Sequence, residues 1–169
     1  MLLAGDRVVL CAVQPDDVDA LARIFSEPAV VPWWHGYDRA RIVREFLHGD
    51  DGAETVYVVE VDRQVAGVIQ SYEEQEPDYR AAGIDIAIGA QWHGTGVAVD
   101  ALRTLARYLI DERGHHHLTI DPAVDNGRAI ACYRKVGFRD VGVLRQNERG
   151  ADGTFHDTLL MDLVADELR

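Results

Sequence analysis

Between residues 84 and 138 the chain carries three features that could do chemistry: a carboxylate inside an apolar alternating stretch, a glycine-rich turn, and a tyrosine on a capped helical segment. The turn, Gln91-Trp92-His93-Gly94-Thr95-Gly96, lies between a strand-like pattern and the longest helical pattern of the chain. Consecutive backbone N–H groups at such a junction lack intrahelical partners and point outward, which makes an anion site. Glycines there let a phosphate approach the backbone and tolerate dihedrals that a side chain forbids. The turn has neither the lysine of a P-loop nor a GxGxxG fingerprint, and a GxG at a strand-to-helix turn also arises for structural reasons alone. Downstream, Asn126-Gly127-Arg128-Ala129-Ile130-Ala131-Cys132-Tyr133-Arg134-Lys135-Val136-Gly137-Phe138 reads as a helix capped by Asp125 or Asn126 and stopped by Gly137. On that helix Tyr133 could equally be a half-buried packing residue.

Asp85 is the carboxylate. Ile84, Ile86 and Ile88 alternate on one side of its strand, and Asp85 and Ala87 fall on the other. A mid-strand carboxylate is unfavourable without a task or a partner; its structural alternative is a pair with an Arg or a backbone N–H. The stretch after Tyr72 supplies Glu73, Glu74, Glu76 and Asp78, Asp121 follows a later strand, and Trp33 and Trp34 sit between two early helical patterns. Carboxylates beside aromatic faces suit a cationic, ring-bearing ligand, although an acidic loop is also what a solvated connection looks like. Of the two tryptophans, one is expected in the core and one in the site. His115-His116-His117 is not read as a metal site, because adjacent residues alternate in direction and cannot converge on one ion. No metal is expected. Cys132 is expected to point into the core beside Tyr133, with no His–Cys pair.

The elements that must position these groups follow from periodicity. Arg7 to Val13 reads as a first strand, and Pro15-Asp16-Asp17 opens a helix with Val18, Leu21 and Phe25 on one side. A short helix spans about Asp38 to His48. Val56 to Val61 and Val65 to Tyr72 form a hairpin around Asp62-Arg63-Gln64. Gly83 to Ile88 is a third strand. A long helix from about Gly96 to Glu112 buries Leu102, Leu105 and Leu109; then come a strand at His117 to Ile120, the Asn126 helix, and closing strands near Val141 to Arg145 and Phe155 to Val164. This order predicts a mixed α/β layer, not a regular βαβ repeat, with residues 1–169 as a single domain.

A net charge of −12, from 17 basic against 29 acidic residues, argues against nucleic acid, whose affinity rests on Lys and Arg neutralising phosphates. An acidic surface can also draw in cations. No apolar run approaches a membrane span, and the two cysteines, Cys11 and Cys132, sit far apart without a CxxC pair. A buried free thiol at each is expected, as in a reducing compartment, so the reading is a soluble, cytoplasmic protein.

The turn resembles the QxxGxG/A pyrophosphate loop of Gcn5-related N-acetyltransferases (GNAT), and the Asn126–Phe138 segment resembles the family's N-x-x-A-x-x-x-Y-x-K-x-G-F stretch. With the element order, the resemblance covers nearly the whole chain. It implies the GNAT fold, a central, mostly antiparallel twisted sheet flanked by about four helices, with acetyl-CoA as cofactor. It further implies that Ile86, Ala87 and Ile88 bond the pantetheine arm through their backbone. Gln91, Trp92, His93, Gly94, Thr95 and Gly96 would hold the pyrophosphate, Asn126 would bond the arm, and Tyr133 would protonate the leaving thiolate. Trp92 and His93 stand where the family often has a small or basic residue, which puts a charge contact from His93 in doubt.

Within the family, Val31-Pro32-Trp33-Trp34, Ile69-Gln70-Ser71-Tyr72, Gly83-Ile84-Asp85 and Thr119-Ile120-Asp121-Pro122 resemble aminoglycoside 6'-N-acetyltransferases in their order. That resemblance implies transfer of acetyl to a primary amine of a cationic small molecule in a ternary complex. Asp85 would be base or amine-binding carboxylate, and Trp33, Trp34, Tyr72, Glu73, Asp85 and Asp121 would form the acceptor site, in a monomer or homodimer. The opening Arg7-Val8-Val9-Leu10 with Asp16-Asp17 also resembles ribosomal-protein N-terminal acetyltransferases, and siderophore or polyamine acceptors are further alternatives. Outside catalysis, the alternative is a module that senses acetyl-CoA, against which Asp85 and Tyr133 together weigh.

Overall fold

The structure, a computed structural model, describes residues 2–49 and 54–169. Its strands are β1 (Leu2–Ala4), β2 (Val9–Ala12), β3 (Glu54–Val61), β4 (Gln64–Glu74), β5 (Ala81–Ile88), β6 (His117–Ile120), β7 (Arg139–Arg149) and β8 (Phe155–Val164). They form one sheet in the order β1-β2-β3-β4-β5-β6-β8-β7, antiparallel at every step except β5 to β6. The helices are α1 (Val18–Phe25), α2 (Arg39–Ile42, continued as a wider turn to Leu47), α3 (Val97–Arg107, continued to Glu112) and α4 (Gly127–Val136).

The expected mixed layer is therefore present, with one strand more than the sequence indicated. β1 is too short to show a period, and it forms because β2 offers it an edge, Leu3 lying opposite Leu10. The hairpin turn is tighter than Asp62-Arg63-Gln64: only Asp62 and Arg63 are unpaired, both at positive φ (50° and 63°). That twist matches the twist of the flanking strands. Asn126 rather than Asp125 caps α4, its side-chain oxygen accepting from the Ala129 N–H at 3.2 Å.

Strand alternation sorts the core onto two faces. Tyr57, Val59, Ile69, Ile84 and Ile88 pack with Leu102, Leu105 and Leu109 of α3 and with Ile130 and Val136 of α4. Val58, Val68 and Ala87 pack with Leu21, Ile24 and Phe25 of α1 and Ile42 of α2. β4, covered on both faces, is buried from Ala66 through Ser71 and reads as a nearly continuous apolar run. Asp85, Gln70 and Tyr72 share the parity of Ala87 and Val68, so all three lie on the α1/α2 face.

One buried carboxylate ties the start of the chain to α3. Asp100 accepts from the backbone N–H groups of Asp6 (3.1 Å), Arg7 (2.7 Å) and Val8 (3.0 Å). These are charge-assisted bonds in a site that water does not reach freely. Asp100→Ala should therefore lower unfolding free energy by roughly 2–3 kcal/mol, measured by chemical denaturation, because three donors lose their acceptor.

Candidate active site

β5 and β6 run side by side at only two positions, Ala82 with Leu118 and Gly83 with Thr119. Beyond them β5 continues to Ile88, while the chain after β6 follows β8, with Leu159 N donating to Pro122 O at 2.8 Å. Pro122 has no N–H to offer β5. The carbonyls of Ile86 and Ile88 consequently face a gap and not a strand. Trp34 Nε1 donates to Ile86 O at 3.2 Å, and His93 Nε2 donates to Ile88 O at 2.7 Å.

This gap opens into a cavity of about 1070 Å³ between the two helical layers. One end is walled by Ile86 to Ile88, His93, Gly94, Gly96 and the α3 residues Ala98 and Val99. Gly94 and Gly96 have φ of 74° and 89°, and an added Cβ at Gly94 would meet nothing within 4 Å. Glycine is required there by the backbone, and the space in front of it is open. The first bond of α3 runs from Asp100 N to Gly96 O at 3.0 Å, so the N–H groups of Val97, Ala98 and Val99 have no helical acceptor. Free N–H groups thus lie at the glycine turn, beside the cavity. Trp92 and Asn126 also line the cavity, whereas Gln91 and Thr95 do not.

The other end is aromatic and acidic. Trp33, Trp34, Tyr37 and Tyr72 line it together with Asp85, Asp121 and Glu148. The expected division of the tryptophans is not seen: both border the cavity, and Trp34 additionally packs on Phe25 (centroids 5.5 Å apart) and Tyr37 (5.4 Å). Asp85 is half-buried and is held by the Tyr72 hydroxyl and by Gln70 Nε2, at 3.4 Å from its Oδ2. Burial raises the Asp85 pKa, and those two hydrogen bonds pull it partly back. Burial and the Asp85 charge raise Asp121, whose carboxylate accepts from Asn147 Nδ2 at 2.9 Å. Glu148 is raised by burial and then by Asp121 and Asp85, against the opposing effects of His35 and His156. Among the described residues none of these three carboxylates pairs with a lysine or arginine.

Tyr133 reaches the same cavity from α4. It is 7% exposed, and burial above all raises its pKa, so the hydroxyl keeps its proton at neutral pH. Cys132, expected in the core, is instead half-buried on the cavity wall, its thiol pushed up to about 11 by burial. Cys11 is half-buried as well.

Glu73 departs from the expectation. One residue beyond Tyr72, it falls on the opposite face of β4, where Arg113 Nε (3.1 Å) and His115 Nε2 (2.7 Å) take its carboxylate. It does not border the cavity, and neither do Glu74, Glu76 or Asp78. Of the three histidines, His115 bonds Glu73 at 2.7 Å and His117 bonds Asp162 at 3.2 Å, two separate carboxylates. Sequence reasoning missed Gln70, Glu148, Arg128 and Lys135, all on the cavity wall. Gln70 had a signal, a polar residue inside an apolar strand directly opposite Asp85; Glu148 had none, because only the bulge between Leu144 and Glu148 turns β7 toward the cavity.

The profile of the acetyltransferase (GNAT) domain matches residues 7–139. The chain belongs to the GNAT family. As a GNAT enzyme it is an acetyl-CoA-dependent N-acetyltransferase. It is 27% identical over 157 residues to the aminoglycoside N(6')-acetyltransferase type 1 of Klebsiella pneumoniae, covering 83% of this chain and 78% of that protein. To the spermidine N(1)-acetyltransferase of Escherichia coli K12 it is 29% identical over 114 residues, 68% of this chain and 60% of that one. The solved structure of AAC(6')-Ib in complex with paromomycin and acetyl-CoA superposes with a TM-score of 0.79 at 25% identity, covering 96% of each chain. The GNAT fold is thereby shared across the sheet and all four helices.

Two outcomes follow from this geometry. Gly96→Val should weaken acetyl-CoA binding severalfold or more by calorimetry, since a β-branched residue resists φ of 89° and deforms the helix N-terminus. Glu73→Gln should destabilise the protein at neutral pH by about 1–2 kcal/mol. Burial works against the Glu73 charge, but the bonds from His115 and Arg113 outweigh it and lower its pKa. The contribution is hence present above the normal carboxylate range and is lost as pH falls through the lowered value. Wild type and variant should converge in acid, as read by thermal unfolding against pH.

Proposed function

We propose that this enzyme transfers acetyl from acetyl-CoA to a primary amine of a polycationic small molecule, the 6'-amine of an aminoglycoside, by direct attack in a ternary complex. The observation that carries the reading is the set of three carboxylates, Asp85, Asp121 and Glu148, sharing one cavity with no lysine or arginine partner among the described residues. Burial raises the pKa of all three, and the Asp85 charge raises Asp121 and Glu148 further; clustered anions of this kind are costly and are relieved by a ligand bearing several ammonium groups. Trp33, Trp34, Tyr37 and Tyr72 supply faces for sugar rings. The 27% identity with the aminoglycoside acetyltransferase supports the same acceptor.

In this mechanism the cofactor's phosphates meet the free N–H groups at the start of α3, and its pantetheine arm bonds the open backbone of Ile86 to Ile88. Trp34 and His93, which occupy those carbonyls, give way to it. Asn126 would meet the arm from the α4 side. Arg128 and Lys135, the chain's single lysine, lie a helical repeat apart on the cavity wall, without carboxylate partners among the described residues, and suit the remaining phosphate charge. The ammonium docks on the acidic end and loses a proton to Asp85, whose raised pKa brings it nearer the amine's. The neutral amine attacks the thioester carbonyl, a β5 N–H steadies the oxyanion, and Tyr133 protonates the departing thiolate. Holding the two substrates together supplies much of the acceleration. Activity should fall as pH drops through the Asp85 pKa, because the protonated acid cannot accept.

The spermidine acetyltransferase relative favours a second acceptor, a linear polyamine in the same acidic cavity. Thiol release measured across 6'-amino aminoglycosides, their 6'-hydroxyl analogues, polyamines and peptide N-termini separates these. Turnover on 6'-amino drugs and its loss on 6'-hydroxyl analogues is expected, whereas turnover on polyamines or peptides alone would sink the aminoglycoside reading. Tyr133→Phe should fold normally and lose on the order of a hundredfold in kcat; unchanged kcat would return Tyr133 to a packing role. Asp85→Asn should cut kcat strongly while leaving acetyl-CoA affinity intact, since the cofactor contacts backbone.

A further inference from the structure

Gln70 is the site's anomaly. It is 3% exposed in the middle of the central strand β4, and its Oε1 has no hydrogen-bond partner among the described residues. A buried amide oxygen left unpaired is a net cost to folding that an apolar side chain of the same length would remove. The chain nevertheless has the amide here. Register explains why it matters: Gln70 lies directly opposite Asp85 across the β4–β5 pair, and Tyr72 is the next residue on the same face.

Donor and acceptor accounting fixes the amide's orientation. The ionised Asp85 only accepts, and the Tyr72 hydroxyl gives its single proton to it. Gln70 Nε2 has two N–H groups, one directed at the Tyr72 oxygen and one at Asp85 Oδ2. Turning the amide over would set Oε1 against the carboxylate, oxygen against oxygen. The orphaned Oε1 is what remains when both N–H groups are committed to this pair.

Among the described residues, the other groups that feel the Asp85 charge offer it no cation. They are Tyr37 from the segment before α2, Tyr133 from α4, Asp121 after β6 and Glu148 from β7, with Glu54 of β3 acting on Tyr72. Each is a hydroxyl or an acid. The hydrogen bonds from Tyr72 and Gln70 are thus what offsets burial at Asp85. We infer that Gln70 is a positioning residue for Asp85: with Tyr72 it keeps the carboxylate ionised in a buried setting and fixes its orientation toward the incoming amine. The catalytic half of this inference rests on the reading of Asp85 as the base; the electrostatic half does not.

Gln70→Met tests it, because methionine matches the length and shape and removes both the donor and the orphan. The direct readout is carboxyl-carbon NMR of the unliganded protein against pH, with the Asp85 signal assigned from its loss in Asp85→Asn. The Asp85 midpoint should move to higher pH in Gln70→Met, while the melting temperature stays level or rises. The acid limb of kcat/KM should move the same way, with about a tenfold or greater loss on that limb and recovery in alkali, as expected for losing a bond to a charged group. Gln70→Glu, which replaces the donor with a second anion, should raise the midpoint further. An Asp85 midpoint at its wild-type position in both variants overturns the inference, as does a loss of stability with a pH profile parallel to wild type. If instead the midpoint shifts as stated but Asp85→Asn remains active, the base assignment fails and the clamp stands.

Discussion

The site depends on a failure of two strands to stay together. β5 and β6 are parallel neighbours at Ala82/Leu118 and Gly83/Thr119 and then separate, Pro122 offering no donor and the chain beyond it bonding to β8 instead. In a sheet every buried backbone N–H and C=O needs a partner. Splaying strands therefore leave a row of polar groups on β5 that must be satisfied by something else. Here Trp34 and His93 bond two of the carbonyls, at Ile86 and Ile88. The same separation lets α4 bring Tyr133 to a cavity whose other wall carries Asp85, although the helix and the carboxylate belong to opposite faces of the sheet.

The charge distribution then becomes intelligible at close range, where the total of −12 decided little. One end of the cavity has the open N–H groups of α3 with Arg128 and Lys135 nearby, and the other has Asp85, Asp121 and Glu148; under the proposed function the first takes the anionic cofactor and the second the cationic acceptor. A GNAT enzyme must hold a polyanionic cofactor beside an ammonium acceptor, and separating the two fields within one cleft lets each substrate find its own end. The acidic loop after Tyr72, which looked like part of this arrangement, is elsewhere, and its first carboxylate serves a buried ion-paired network under the opposite face.

At the reacting end, stability gives way to placement. Burial raises the pKa of three clustered carboxylates, a buried glutamine oxygen has no partner among the described residues, and two glycines hold positive φ at the cavity wall. The first two are unfavourable in an isolated fold, the third restricts the position to glycine, and all of these groups border one cavity. Concentrated local cost of this kind is the mark of a site whose geometry is set by a ligand.

The sequence by itself determined the elements and their faces. Alternation in Ile84-Asp85-Ile86-Ala87-Ile88, the leucine stripe of α3, the Asn126 cap and the Gly137 stop are short-range effects, and each produced the element its spacing implied. The glycine turn was legible for the same reason, since a helix N-terminus creates its own free N–H groups. Only the tertiary structure decided which polar groups meet. Tyr72 and Glu73 are neighbours in the chain, and a period of two sends one to Asp85 and the other to His115, 42 residues away. Glu148 joins the cavity because a bulge in an edge strand turns it inward, and Gln70 acquires its meaning from the register that sets it opposite Asp85. Local periodicity fixes the direction of a side chain from its own strand or helix, but its partner is set by long-range pairing and by where two strands part.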